Sequence, residues 1–381
     1  MSTLKPLKVI FLIENFLFLF RNISFTNKRL VYLMYFSLLL EISICVSNII
    51  VCGYFNSIFR ITEILFLYLC YATSLFLIIV ALYHSKSFKK LLTIVNTNST
   101  IFFNDDLYLR HFKKKSCLII AAFLLYSITK IIFTLVTTKY GEFLKYGVSR
   151  YFVYMFVVNV VTSDLRYFFE YLVLYLIIYI LSEQVKCVIR LVVNETKVVY
   201  KISGEIKSAD ITPVVTPRER HEKIQQWSVL YTRLAEATRI FNRIFGFQIT
   251  VMLTTAISYI SIYIYSMVFM SVDGYIKTDI FMKIGTKLIY YNIEIFFLSI
   301  AAQGLHNDVT DLKRSLAMLL TYSLQDYEVY RATKDLLRLV SNRQLQIQAF
   351  GSITVDMSLP PTCIILFTTY TVIALQFNNV L

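Results

Sequence analysis

Ionisable side chains interrupt stretches that are otherwise apolar enough to span a bilayer, among them Glu41, Lys130, Asp164, Arg166, Glu170 and Glu294. A charge facing hydrocarbon is expensive, so such groups turn toward protein or a water-filled space and find partners. Arg166 and Glu170 are four residues apart, share a helix face and can pair. Asp164 lies about 160° from Arg166 around a helix. Lys130 has two candidate partners, Asp164 and Glu294. Two readings stay open for these groups, structural ion pairing and a ligand or gating role. The outer halves of the fourth to sixth apolar stretches add Tyr151, Tyr154, Tyr167, Tyr259, Tyr263, Tyr265, Tyr290 and Tyr291. A tyrosine offers an apolar ring and a hydroxyl, which suits a small molecule of mixed polarity. Interfacial belts and core packing account for most of them. The candidate ligand-binding set is Tyr154, Asp164, Arg166, Tyr167, Glu170, Tyr263, Tyr291 and Glu294.

A second polar set lies in the last apolar stretch. Thr369, Ile373 and Gln376 recur at i, i+4 and i+7 and share one helix face. A glutamine amide in lipid would leave four hydrogen-bonding sites unpaired, at a cost of several kcal/mol. That face is expected to meet protein or water. No charge follows Asp356, so any selection among cations along this helix is expected to be weak.

Other chemistries find no support. His84, His111, His221 and His306 have no consistent partner spacing. The six cysteines include no CxxC pair, and only Cys52 falls near the predicted outer face, so no outer disulfide is expected. No enzyme activity, cofactor or metal site is expected.

The elements that must position these residues follow from composition. The 381 residues are 57% hydrophobic and 16% charged, with a mean hydropathy of +0.62. A soluble chain of this size needs more charge to cover its surface. Seven stretches can span a bilayer: Leu30–Val51, Ile64–Leu82, Ser116–Thr137, Tyr151–Leu181, Phe245–Met270, Met282–Ala302 and Ser358–Phe377. With a cytosolic N-terminus, the inner connections carry 29 Lys and Arg against six outside, counting Lys283 with the outer side. The positive-inside rule then puts the C-terminus outside the cell. The net charge of +14 fixes topology and touches anionic lipid, rather than nucleic acid. The apolar run Ile10–Phe20 is read as an interfacial or packed helix and not a cleaved signal, since Glu14 interrupts it.

The chain divides into residues 1–181 (N-terminal arm and four spans), 182–244 (cytosolic connection), 245–302 (spans five and six), 303–357 (cytosolic helices) and 358–381 (last span). Thr216-Pro217-Arg218-Glu219 is a capping box with Pro at the first helical position. From there Ile224, Trp227, Tyr231, Leu234, Thr238, Phe241 and Phe245 form an apolar stripe that is expected to run unbroken into the fifth span. A similar set, Leu312, Leu316, Leu319, Leu320, Leu336, Leu337 and Val340, is interrupted around Ser323–Glu328. Both stripes need a partner, in the same subunit or in a neighbouring one. Glu195–Val215 is expected to be the least ordered stretch.

The spelling Thr369-Tyr370, five apolar residues, Gln376-Phe377 resembles the C-terminal signature of the insect gustatory receptors. The preceding run from Ala349 to Asp356 is similar to that family's approach to the same segment. Pro360 and Pro361 depart from it, standing where family members carry apolar residues. The resemblance implies an all-α, seven-span protein with a cytosolic N-terminus, an extracellular C-terminus and long cytosolic helices forming an intersubunit anchor. It also implies a ligand-gated, non-selective cation channel in the plasma membrane of a sensory dendrite. In such a channel the last helix lines a tetrameric pore, with Thr369, Tyr370, Ile373, Gln376 and Phe377 at the gate. Four Phe rings can close a pore by excluding water, and Gln amides can replace part of an ion's hydration. The implied partners are a small-molecule tastant, membrane lipid, permeant cations and further gustatory receptor subunits in a homo- or heterotetramer. The only Trp, Trp227, sits on a cytosolic helix, so a bitter or unassigned ligand is favoured over a sugar. The alternatives are an odorant receptor of the sibling family and a sugar-gated receptor.

Overall fold

The computed structural model describes residues 61–102, 106–137, 150–204, 216–272, 278–324 and 326–377, with isolated helical positions between Tyr32 and Val46. Eight helices and one short hairpin are described in full. They are α1 (Ile61–Tyr83), α2 (Ser85–Phe102), α3 (Asp106–Thr137), α4 (Arg150–Gly204), α5 (Pro217–Val272), α6 (Thr278–Tyr322), α7 (Tyr327–Asn342), β1 (Gln348–Ala349), β2 (Ile353–Thr354) and α8 (Leu359–Phe377). The second to seventh expected spans fall within α1, α3, α4, α5, α6 and α8. Most of the first span lies outside the described residues, as do Ile10–Phe20, Glu41 and Cys52.

Helix length shows how the spans continue beyond a membrane. α4 and α5 hold 55 and 56 residues, and α6 holds 45. At 1.5 Å per residue these are about 70–85 Å long, against a hydrocarbon core of about 30 Å. Four described stretches are long and apolar enough to cross a membrane: Arg110–Phe133, Asp164–Tyr200, Arg218–Tyr265 and Gly285–Tyr322. Shorter apolar stretches are Tyr71–Tyr83 and Leu359–Ile373. The faces of α3 fit a bilayer. Leu118, Leu125, Ile128 and Ile132 point outward and exposed, while Phe112, Ser116, Phe123 and Lys130 point inward and buried. In water that outer face would be a liability, whereas in hydrocarbon it is the expected surface. α4 is the most enclosed of the four, nearly continuously buried from Arg166 to Leu174 against α6 and its neighbours.

The extensions of α4, α5 and α6 pack with α2 and α7 as a continuation of the same hydrophobic core. α5 opens on the expected capping box, in which the Thr216 amide donates to Glu219 Oε2 at 3.2 Å and the Glu219 amide donates to Thr216 Oγ1 at 3.3 Å. Its whole stripe from Ile224 to Phe245 is buried within this one chain. Leu312, Leu316, Leu319, Leu336 and Val340 are buried in the same way. Leu320 and Leu337, the other two members of the second stripe, are half-buried. The buried positions of both stripes find partners inside this chain. The expected interruption is present, since α6 ends at Tyr322 and Asp326 caps α7 by accepting from the Val329 amide. One expectation needs correction. The stretch from Glu195 begins as regular helix, because α4 continues to Gly204. There Glu195 is held by Arg220 at 3.5 Å and Lys223 at 3.6 Å across the α4–α5 contact. Residues 205–215 lie outside the described residues.

Two polar contacts tie the long helices together. Asp308 of α6 accepts from the Ser182 hydroxyl of α4 and lies 3.7 Å from Lys186. Burial raises its carboxyl above the usual range, and the Ser182 bond and Lys186 charge pull it back. The buried Tyr231 hydroxyl, its pKa raised by desolvation, donates to the Arg343 carbonyl at 2.7 Å and anchors the end of α7.

The hairpin before α8 is fixed to α5 by backbone contacts. β1 and β2 pair antiparallel, Gln348 with Thr354 and Ala349 with Ile353. The turn places Phe350 and Gly351 at φ 49 and 72. A left-handed phenylalanine is strained. Its amide donates to the Gly246 carbonyl at 3.1 Å, and its ring meets Phe247 at 6.1 Å. A Cβ added to Gly246 would lie 3.0 Å from the Gln348 carbonyl oxygen, so only glycine lets α5 approach this closely. One turn earlier, Asn242 donates to the Gln346 carbonyl at 2.7 Å and accepts from the Gln348 amide at 3.2 Å.

Candidate functional site

Two polar regions emerge inside the apolar layer. The first joins α3, α5 and α6. Lys130 Nζ lies 2.8 Å from Glu294 Oε1, and the two side chains are only 8% and 2% exposed. Lys130 therefore reaches Glu294, one of its two candidate partners. The second carboxylate oxygen of Glu294 is buried with no hydrogen-bond partner among the described residues. Tyrosines surround the pair. Lys130 stands 5.2 Å from the Tyr291 ring centre, and Tyr291 meets Tyr259 at 4.9 Å and Tyr263 at 6.4 Å. Lys287 sits 5.3 Å over the Tyr263 ring. The Tyr126 hydroxyl donates to the Tyr290 carbonyl at 2.9 Å and closes the α3–α6 side. The helix periodicity explains this grouping. Tyr126 and Lys130 are one turn apart on α3, as are Tyr290 and Glu294 on α6, so the helices meet through matched pairs.

The remaining candidates on α4 turn elsewhere. Arg166 is fully buried and its Nη1 donates to Ser74 Oγ of α1 at 2.6 Å. Glu170 is also fully buried and accepts from the Gln248 amide of α5. Tyr167 donates to the Met252 carbonyl at 2.7 Å and lies near the Tyr171 hydroxyl. These groups cross-link α1, α4 and α5. Asp164 is half-buried, within electrostatic reach of Glu294 and Tyr291. The Tyr154 side chain lies outside the described residues. The structure thus brings together Tyr263, Tyr291 and Glu294, with Asp164 and Tyr167 within electrostatic reach of Glu294, while Arg166 and Glu170 bind Ser74 and Gln248. Sequence reasoning missed Ser74 and Gln248. Both are neutral polar residues, and only the charge opposite each one in space gives it meaning.

The second region is α8. Leu359, Cys363, Phe367 and Thr371 recur every four residues and are buried against α5 and α6. Thr369, Tyr370, Ile373 and Gln376 all lie on the exposed remainder, Tyr370 at 61% and Ile373 at 41% exposed. The exposed side carries a continuous stripe of Ser358, Thr362, Leu366, Thr369, Ile373 and Gln376 at three- and four-residue steps. The Thr362 and Thr369 hydroxyls donate back to the Ser358 and Ile365 carbonyls, which keeps them neutral and internally satisfied. Phe377 is helical, and its side chain lies outside the described residues. Pro360 and Pro361 fall in the first turn, where a missing N–H costs nothing, so they start this helix and do not kink it.

Among the described residues no group of three or more His, Cys, Asp or Glu could hold a metal ion. Among the described residues, Cys117 and Cys363 are free thiols.

The sequence model of the 7tm chemosensory receptor family matches residues 9–379 of this chain. The fold is similar to the solved structure of the insect olfactory receptor OR5 from Machilis hrabei, with a TM-score of 0.69 over 92% of this chain and 90% of that one. Sequence identity between the two is 10%. No curated protein matches this chain in sequence.

Proposed function

Because this chain belongs to the 7tm chemosensory receptor family, a multi-pass membrane family, we propose that it is a ligand-gated, non-selective cation channel of the gustatory type. The observation that carries the reading is the α8 surface. An apolar helix buries only one narrow stripe in its own subunit and leaves Thr362, Thr369 and Gln376 aligned on the exposed side. A glutamine facing lipid is costly, and four copies around a central water path relieve that cost. The spelling Thr369-Tyr370…Gln376-Phe377 supports the gustatory type. Gln376 and Phe377, with Thr369, Tyr370 and Ile373, form the gate, and the basic bias of the connections supports an extracellular C-terminus.

The ligand site is the tyrosine-lined Lys130–Glu294 cluster, with Tyr263, Tyr291 and Asp164. The unpaired Glu294 oxygen favours a ligand that carries a hydrogen-bond donor on an apolar or aromatic body, a tastant of the bitter kind over a sugar. Arg166, Tyr167 and Glu170 hold the helices that frame it. Ligand binding opens the channel only by favouring the dilated state over the closed one. The subunits assemble as homo- or heterotetramers, with contacts formed by exposed faces of the cytosolic helices. A second reading, an odorant-gated channel, draws on the fold likeness to an olfactory receptor.

The test is current recording in a non-insect cell challenged with bitter compounds, sugars and odorants. A ligand-evoked cation current that persists under G-protein blockade and changes with Gln376→Ala supports the proposal. A response that requires G proteins contradicts it. The ligand class that evokes current decides between the gustatory and odorant readings.

A further inference from the structure

α3 carries a run of bases just before its apolar stretch. Arg110, Lys113, Lys114 and Lys115 stand close together with His111 among them, and no Asp or Glu occurs in residues 107–141. Helix periodicity sorts them by face. Arg110 with Lys114, and His111 with Lys115, form two rows one turn long. At about 100° per residue these rows straddle the line that leads on to Leu118, Leu125 and Ile132. Those three apolar side chains are exposed, as are Arg110, His111, Lys114 and Lys115. The opposite face, with Phe112, Ser116 and Phe123, packs inward. The bases therefore stand on the side of α3 that turns to lipid. No carboxylate of the chain neutralises them. Among the described residues Lys90, Lys186, Arg218 and Lys223 each find one, whereas Arg110, Lys113, Lys114 and Lys115 enter no ion pair. Like charges one helical turn apart repel, so Arg110 and Lys114 leave a strain that a bound anion relieves.

We propose that Arg110, Lys114 and Lys115 hold the headgroup of an anionic membrane lipid that carries more than one phosphate, with an acyl chain lying along Leu118, Leu125 and Ile132. The inference rests on reading α3 as a span whose basic end lies in the cytosolic leaflet. The occupant follows from complementarity. Charge and apolar surface are continuous on one helix face and exchange within a single turn, between Lys115 and Leu118, which matches an amphiphile and not a soluble anion. Basic clusters at the cytosolic end of a span attract anionic lipid. The guanidinium fork of Arg110 suits a phosphate, and the two lysines act as point charges beside it. A headgroup with several phosphates reaches both rows at once, which a singly charged one does not. The general basic bias of the connections asks only that positive residues stay inside. α3 adds a gathering of unpaired charges on one lipid-facing side.

The experiment titrates a fluorescent short-chain phosphatidylinositol bisphosphate onto the purified full chain in phosphatidylcholine nanodiscs. The variant Arg110→Gln/Lys114→Gln/Lys115→Gln is expected to bind about ten-fold more weakly or worse. The control Lys86→Gln/Lys89→Gln/Lys197→Gln removes the same charge from exposed lysines elsewhere and is expected to bind like wild type. Lys114→Arg/Lys115→Arg is expected to retain binding. Competition on the wild-type protein tests the site without any substitution. Phosphatidylserine at matched charge and soluble inositol trisphosphate are both expected to compete about ten-fold less well than the unlabelled bisphosphate lipid. Equal weakening in the two triple variants, or full competition by phosphatidylserine, shows a general response to surface charge and overturns the proposal. Inositol trisphosphate competing as well as the lipid shows that the apolar stripe takes no part and overturns the lipid assignment. Nanodiscs expose both membrane faces, so binding does not depend on orientation. The cytosolic placement is tested separately by an epitope inserted after Asn104. Antibody reaching it on intact cells overturns that placement and leaves the binding result standing.

Discussion

At the scale of single residues, the account turns on charges and amides placed where lipid would punish them. Lys130 and Glu294 form a buried pair at 2.8 Å, and removing one partner strands the other. Lys130→Met is expected to destabilise the detergent-solubilised protein by about 3–5 kcal/mol in thermal unfolding, with much of that recovered in the double variant Lys130→Met/Glu294→Gln. A double-variant loss equal to the sum of the Lys130→Met and Glu294→Gln losses would show that the pair is not coupled. Glu294→Gln alone is expected to weaken ligand-evoked current in a dose–response measurement, because the free carboxylate oxygen is the ligand's proposed acceptor. The residues at this scale were partly legible in the sequence. Isolated charges in apolar stretches announce themselves, so Lys130, Arg166, Glu170 and Glu294 stood out. Their roles were less legible, since Arg166 binds Ser74 and Glu170 binds Gln248, and an uncharged partner on a distant helix leaves no mark in the linear pattern.

At the scale of elements, the hairpin that connects α7 to α8 is the feature most dependent on exact fit. Gly246→Ala forces a Cβ to within 3.0 Å of a backbone oxygen, which cannot move as a side chain tip can. This substitution is expected to cost about 1–3 kcal/mol in thermal stability and to shift the ligand dose–response, since the hairpin carries α8. Gly304→Ala is the internal control. It sits mid-helix with nothing within 4 Å of the added carbon, and is expected to stabilise by about 0.5–1 kcal/mol. If both alanines behave alike, the close approach at Gly246 has no mechanical weight. Local rules made the helices readable. The capping box at Thr216, the interruption near Asp326 and the unbroken run of α5 depend on neighbours in the chain. The two-residue strands were not readable, because Asn242 and Gly246 of α5 and the turn at Phe350 hold them from outside their own sequence.

At the scale of the whole molecule, hydropathy and basic bias revealed a helical membrane protein, and the family match over residues 9–379 agrees. Subunit arrangement was less legible. An apolar stripe looks the same in sequence whether its partner is in the same chain or the next. The α5 stripe is buried inside this chain, while Leu320 of α6 and Leu337 of α7 stay half-buried. Exposed apolar groups at the α6–α7 end, such as Met318, Leu324 and Tyr327, and the open face of α8 are the surfaces proposed to join subunits. Electron microscopy of the purified protein is expected to show a four-fold particle with α8 nearest the axis, and a monomer would remove the basis for a shared pore. The central claim is that the Thr369–Ile373–Gln376 face borders water through which ions pass. Its most direct test is cysteine modification during ligand-evoked current, in a background insensitive to the reagent. Thr369→Cys and Ile373→Cys are predicted to be modified by a small charged thiol reagent with a change in current. Ile364→Cys, about 140° from Thr369 around the helix, is predicted to be unaffected. Modification of Ile364→Cys with Thr369→Cys and Ile373→Cys inert would contradict the account.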